Sequence, residues 1–399
     1  MSHRSAESCG GKTHRRGAED AEITQRRKGF PLRPLRALCA SAVNPIARET
    51  RLKVISILTT LLLAGCRRAG SQSALDPAGP HAGRLSRLWW FFFFVLAAVY
   101  VLVMIALVVS IVRGRAGRKP AAGGRKIPPA AVKPDEAEER RTARVVGAAT
   151  ALSTVILFVL LVSSFLAGRE LTMTRAEGAE QGVLRIEVTG HQWWWEVRYD
   201  DPLPSNIFTT ANEIHVPTGQ PVVLQLKSVD VIHSFWVPNL AGKKDLIPGK
   251  SASVWLRADR AGEYRGQCAE FCGMQHAHMA LKVIAEPPEQ FEAWRQAQRS
   301  PSPPPTTDAQ KRGQQVFLST TCVMCHAVQG TQANAGVGPN LTHLASRSTI
   351  AAATLPNTRG HLAGWVVDAQ GIKPGTVMPP NSLSSEDLQA LLDYLQSLK

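Results

Sequence analysis

No pair of cysteines is left over for a structural disulfide in this chain of 399 residues and seven cysteines. Cys268 and Cys272 belong to one metal-binding pattern, Cys322 and Cys325 to another, and Cys66 closes a processing signal. Cys9 and Cys39 fall in a stretch expected to be absent from the mature protein. Structural disulfides are thus missing although the domains are expected to face an oxidising compartment. A basic stripe across a folded domain is missing too. The net charge is +15, yet residues 1–144 hold 26 Lys and Arg against 10 acidic residues, and the rest is balanced at 20 against 21. The surplus concerns membrane targeting and topology, and nucleic acid is not an expected partner.

What is present is concentrated in twelve residues. Cys268 to Met279, CAEFCGMQHAHM, holds two thiols, the imidazole of His276 and the thioether of Met279, with His233 upstream. Thiolate, thioether and imidazole together suit copper used for electron transfer. Gly273 lets the backbone bend around a metal. A mononuclear copper site needs one Cys, so the second argues for two coppers sharing bridging thiolates. Each copper then takes one His, and the weak positions fall to Met279 and a backbone carbonyl. Zinc, or a Cys268–Cys272 disulfide, would use neither Met279 nor His233.

With VDVIHSFWVPNL (229–240) and GHQWWWEVRYD (190–200), this loop resembles subunit II of haem–copper cytochrome c oxidases, the subunit that carries the dinuclear copper A centre. The resemblance implies His233, Cys268, the main-chain oxygen of Glu270, Cys272, His276 and Met279 as copper ligands. It also implies that the Glu270 side chain reaches a magnesium ion at the border with subunit I. Trp193, the first aromatic of its run, is then where electrons enter at the surface. Asp230, three residues before His233, is placed to orient that ligand or to help dock a donor. His278 and Met274 receive no role.

Residues 1–66 read as an extension followed by a bacterial lipoprotein signal. Arg51 and Lys53 precede an apolar run, Val54 to Ala64, too short to span a bilayer, and LAGC (63–66) makes Cys66 the expected lipidated N-terminus. A transmembrane hairpin is expected at 85–168, with spans 88–112 and 145–166. The connecting segment 113–144 carries ten Lys and Arg and is therefore expected on the cytoplasmic side, which puts everything after 167 outside a bacterial inner (plasma) membrane, in the periplasm. The second span lacks the Glu-x-x-Trp-Thr pattern common in the family; residues 140–152 read RRTARVVGAATAL.

Residues 183–286 break into short β-rich runs separated by Pro/Gly turns, the spacing of an all-β sandwich and, by resemblance, a Greek-key cupredoxin domain. Within a strand Trp194 is expected to point away from Trp193 and Trp195. Residues 287–307 form a short helix and the proline-rich SPSPPP, an extended spacer expected to let the next domain swing.

The domain at 308–399 is expected to be an all-α class I cytochrome c. CVMCH places Cys322 and Cys325 for covalent haem attachment and His326 on the iron. Met378, in KPGTVMPP, is the expected sixth ligand. GVGPNL (336–341) resembles the loop that lets Pro339 bond the His ligand, and Gly313 and Phe317 are expected where the first and last helices cross.

The function implied is the electron-transfer subunit of a respiratory cytochrome c oxidase, from haem c to copper A and on to subunit I. Subunit III is a further expected partner, and cytochrome c or the bc1 complex the expected donor. Two other readings fit these cofactors: a copper subunit of a nitric oxide reductase, and a membrane-tethered electron carrier without a catalytic partner.

Overall fold

The computed structural model describes residue 70 and residues 72–116, 136–173 and 183–399. The extension, the run 54–64 and Cys66 lie outside the described residues, as do residues 117–135 of the basic connecting segment.

Two long helices come first, Pro80–Ala116 (α1) and Glu136–Met173 (α2), both long and apolar enough to cross a membrane. Proline suits the first position of α1, where its missing N–H has no partner to lose. Several of their hydroxyls bond within the helix. Ser110, Thr154 and Ser163 donate to the carbonyls of Ala106, Thr150 and Val159 at 2.8, 2.9 and 2.7 Å. Helices that satisfy their own polar groups and turn Trp90, Phe94, Leu102, Leu157 and Phe165 outward match a lipid surrounding, which offers no hydrogen bonds.

The segment before α1 is bonded to the β domain. Asn239 ties it down, accepting from the Ser73 N–H at 3.0 Å and donating to the Asp76 carbonyl at 2.9 Å. Gly79 is needed there, because a Cβ would sit 2.2 Å from the Arg257 carbonyl oxygen.

The β domain has ten strands: Leu184–His191 (β1), Trp194–Tyr199 (β2), Phe208–Ala211 (β3), Glu213–Pro217 (β4), Val222–Ser228 (β5), His233–Phe235 (β6), Lys244–Leu246 (β7), Ala252–Leu256 (β8), Gly262–Gln267 (β9) and Ala280–Glu286 (β10). One sheet runs β3-β2-β1-β5-β8 and a second β4-β10-β9, with β6 and β7 paired separately. β1 pairs with β5 in parallel and with β2 antiparallel, so that Val188 lies opposite Val197 and Ile186 opposite Tyr199. Alternation puts Ile186, Val188, Trp195, Val197, Leu224 and Leu226 on the inner face, where they meet Ile214, Val216, Leu281 and Val283 of the second sheet in one core. This is a cupredoxin-like sandwich. Its rigid layers carry the loop 268–279 between β9 and β10.

Helix Pro288–Arg299 (α3) lies against the sandwich, with Trp294 stacked on His215 at 3.9 Å between ring centres. The spacer after it is held rather than free. His343 Nε2 lies 3.0 Å from the Ser300 carbonyl and the Ser302 hydroxyl bonds the Thr342 carbonyl, so the proline-rich stretch runs along the next domain.

That last domain is helical: Asp308–Ser319 (α4), Arg359–Val367 (α5), Ala369–Ile372 (α6) and Ser385–Leu395 (α7), with a two-stranded ribbon of Thr349–Ile350 (β11) and Leu355–Pro356 (β12). Thr307 and Gln310 form a capping box on α4, and Ser384 caps α7 by accepting from the Asp387 N–H. α4 and α7 cross at Gly313, where a Cβ would lie 2.0 Å from the Ala390 carbonyl oxygen, and Phe317 meets Tyr394 nearby.

Candidate metal and haem centres

Strand β6 delivers His233, Cys268 directly follows β9, and the loop to β10 brings Cys272, His276 and Met279 to the same place. The two sulfurs lie 3.7 Å apart, with Cys268 Sγ 3.8 Å from His233 Nδ1 and Cys272 Sγ 3.6 Å from His276 Nδ1. The Met279 thioether is 3.8 Å from Cys272 Sγ, and the Glu270 carbonyl oxygen is 3.2 Å from Cys268 Sγ. A disulfide needs about 2.05 Å; two thiolates bonded to a shared metal at about 2.3 Å each lie well under 4.6 Å apart. Five soft or borderline donors and one carbonyl oxygen thus converge. The set fits copper, with one His for each of two ions.

Burial and hydrogen bonds tune these groups. His233 is 0 % exposed, Cys268 1 % and Cys272 2 %. Hydrogen bonding from Cys272 holds the Cys268 thiol down at about 3, and the same contact with Cys268 pushes Cys272 up. Burial alone would lower His233, but its contacts with Cys268 and Asp230 outweigh that and raise it. Asp230 Oδ1 lies 2.8 Å from His233 Nε2, and its Oδ2 accepts from the Gln192 N–H at 2.6 Å. The ring is therefore aimed with Nδ1 towards the sulfurs. Gly190 leaves room for it, since a Cβ there would stand 2.8 Å from His233 Cδ2.

The helical domain encloses a cavity of about 410 Å³. Cys322, Cys325, His326 and Met378 all line it. His326 Nδ1 donates to the Pro339 carbonyl at 2.7 Å, which leaves Nε2 for a metal. Burial lowers its pKa and keeps the ring neutral, as a ligand must be. Gly338 presses on the ring, where a Cβ would come within 2.7 Å of Cε1. Arg347, also in the wall, is buried, and its pKa is pushed down to about 10 by that burial. One guanidinium nitrogen donates to the Asn340 carbonyl, while Nε has no hydrogen-bond partner among the described residues. An unpaired buried cation beside a thiol–thiol–imidazole cluster suits a ring that carries carboxylates, so the cavity fits haem.

The cavity reaches the β domain, whose His191, Gln192, Trp193 and Trp194 complete its wall. Trp193 is not where the sequence puts it. It precedes β2 instead of lying in the strand, and it is only 7 % exposed, because the segment 373–375 covers it. Its indole Nε1 donates to the Cys272 carbonyl at 2.8 Å, as does Gln192 Nε2. Trp195 is fully buried beside His233, and Trp194 stacks on His191. His343 is buried, and His278 bonds Gln275 at 2.7 Å. Met274 and Met324 are exposed.

Sequence reasoning missed Gln192, Arg347 and Lys373. A signal existed for two of them. Arg347 is the sole Lys, Arg, Asp or Glu between His326 and Arg359, and Lys373 the sole one between Asp368 and Glu386. Lys373 is 2 % exposed, donates to the Trp193 carbonyl at 2.7 Å and to the Ala351 carbonyl at 3.2 Å, and is pushed down to about 7 by burial.

Comparisons with known proteins identify both domains. Residues 184–286 match the family model for the periplasmic domain of cytochrome c oxidase subunit II, and residues 310–399 match that for cytochrome c. Cytochrome c oxidase subunit 2 of Alkalihalophilus pseudofirmus is 38 % identical over 248 residues, spanning 61 % of this chain and 70 % of that one. The Bacillus subtilis subunit 2 is 31 % identical over 265 residues, spanning 63 % and 73 %. The crystal structure of the periplasmic domain of subunit II of cytochrome oxidase of Bradyrhizobium japonicum is 30 % identical, covering 30 % of this chain and 96 % of that one, with a TM-score of 0.28. Sandwich, donor cluster, haem motif and relatives converge: the chain belongs to the cytochrome c oxidase subunit II family, with a cytochrome c domain following the copper domain.

Proposed function

We propose that this chain passes electrons from a covalently held haem c to a dinuclear copper A centre and on to subunit I, where oxygen is reduced to water. The observation that carries this reading is Trp193, which forms part of the cavity wall and hydrogen-bonds the carbonyl of the ligand Cys272. When bound, the haem and the copper pair supply one-electron oxidation and reduction.

The chain's residues do the rest. Cys322 and Cys325 hold the porphyrin edge, His326 one face of the iron and Met378 the other. Arg347 offers its free N–H to a propionate. His233, Cys268, the Glu270 carbonyl, Cys272, His276 and Met279 hold the coppers, and near-complete burial of the two thiols, His233 and Met279 keeps water out. Because the sandwich fixes these donors, little has to move when charge arrives. The Glu270 side chain is exposed, free to reach a magnesium ion at the subunit I border, with Phe271 beside it 74 % exposed.

In this reading residues 85–168 anchor the chain in a bacterial inner membrane, 183–286 carry copper, 287–307 link and 308–399 carry haem, both domains periplasmic. Cys66 is the lipidated end, subunits I and III are the partners, and cytochrome c or the bc1 complex is the donor. Purifying the complex in mild detergent tests it. Haem A and oxygen uptake are expected of the complex, and two coppers for each covalently bound iron in this chain once isolated from it. Haem b with nitric oxide turnover, or fewer than two coppers, would overturn the reading.

A further inference from the structure

Lys373 is the least expected side chain in the contact between the two metal-binding domains. An ammonium group buried without a carboxylate is costly, and no salt bridge to Lys373 exists among the described residues. Its Nζ instead joins two backbone carbonyls on opposite sides of the domain contact. Trp193 lies on the copper side, and Ala351 on the haem side.

Each of those carbonyls belongs to a segment tied to the copper loop. Trp193 hydrogen-bonds the Cys272 carbonyl through its indole. Ala351 opens a run of three alanines with left-handed φ values of 55, 58 and 55°, a conformation unfavourable for any residue with a Cβ. The carbonyl of the second, Ala352, accepts from the Ala280 N–H at 3.1 Å, next to the ligand Met279. Lys373 itself stands five residues before Met378. The residue after it, Pro374, accepts from Gln275 Nε2 of the copper loop at 2.9 Å, and Gly375 packs where a Cβ would be 3.2 Å from the Trp193 ring. One side chain thus binds the Met378 loop, the strained alanine turn and the Trp193 backbone into a single knot.

We propose that Lys373 is a positioning residue, the latch that fixes the haem domain against the copper domain in the geometry from which electrons cross. The inference rests on the haem-to-copper transfer proposed above and adds the residue that sets the distance between the two centres. Its removal leaves the Trp193 carbonyl unpaired at the contact, which favours separation of the domains. Neither centre loses a ligand.

The test is K373M in the intact oxidase, with K373Q as the variant that keeps an N–H donor. Haem c is reduced by a light pulse and the arrival of the electron at copper is followed by absorbance. K373M is expected to slow this step by roughly five- to a hundredfold, the factor that leaving one buried acceptor unsatisfied makes in an equilibrium. The haem and copper absorbance bands, both potentials and oxygen uptake from a reductant that feeds copper directly stay as in the parent, and K373Q recovers part of the rate. A parent-like rate in K373M overturns the latch. If K373M does not assemble, K373Q decides: a slowed step with both bands intact supports the latch, and a parent-like rate overturns it. Absence of haem-to-copper transfer in the parent enzyme defeats instead the functional reading on which the latch depends.

Discussion

The copper centre and the haem cavity are built on opposite plans within one chain. Around copper, His233 stands on β6 and the other donors on the loop between β9 and β10, 3.2–3.8 Å from one another, with Cys268, Cys272 and Met279 at the end of a core built mainly by the apolar side chains of the two sheets. Around the cavity, the walls are the core itself: Phe317, Leu344, Leu362, Leu391 and Leu395 face both into the cavity and into the apolar cluster of the domain. The copper site is thus a feature added to a fold, while the haem is part of what the second domain folds around. A bound group stabilises whichever state it prefers, and the dependence is greatest where the group fills the core.

The sharpest way to break this comparison is to deny each domain its group. In C322A/C325A the amides of α4 and α7 are expected to lose most of their hydrogen-exchange protection, a loss of several kcal/mol of the kind that removal of a core side chain produces. The copper band survives. Stripping copper with a chelator is expected to leave the β-sheet amides protected. Equal loss in both experiments would mean that the sandwich, too, depends on its metal.

A smaller effect separates the two histidines inside the copper site. His233 is fully buried and held by Asp230, whereas His276 is half-buried beside the exposed ring of Phe271. D230N keeps the volume but weakens the acceptor at Nε2, and it sets an amide against the Gln192 N–H. Copper affinity, measured by competition with a chelator, is expected to fall about 10–100-fold, the usual consequence of losing a ligand's orienting partner. The haem spectrum stays unchanged. Unaltered affinity would show that the strands alone aim His233.

The two regions also differ in how far they could be read from sequence. Five of the six copper donors sit within twelve residues, and the haem attachment residues within five, so contiguity made them visible. The short β-rich runs separated by Pro/Gly turns likewise announced the sandwich. What joins the two domains is another matter. Lys373 meets a carbonyl 180 positions away, and its isolation from other charges in the sequence sets it apart without saying what it will touch. Three alanines in a row read as helix-forming, yet Ala351–Ala353 take left-handed φ, with Lys373 and Ala280 on the carbonyls of Ala351 and Ala352. Trp193 was expected at the surface because nothing in its own neighbourhood tells of the segment that covers it. The proline-rich spacer was expected to swing, since composition reports stiffness and says nothing of the His343 and Thr342 contacts that hold it.

The smallest expected effect concerns pH and falls on the junction between the regions. The Lys373 amine faces two neutral carbonyls, those of Trp193 and Ala351. Burial lowers its pKa from 10.5 to about 7 when the domains are together. Apart, the amine is solvated and returns to its ordinary value. Between those two values the separated form binds the extra proton, so docking releases it, and raising the pH through this window strengthens docking. Below about 7 the amine is charged in both forms and the dependence flattens. The rate cannot exceed that of the fully docked form, so it is expected to rise by only about twofold to threefold between pH 7 and 9, well short of the tenfold per pH unit that one released proton allows. In K373M that rise disappears while any pH dependence of the centres themselves persists. A rate that falls with pH in the parent and not in the variant would reverse the sign, meaning that the junction binds the lysine more strongly as a cation.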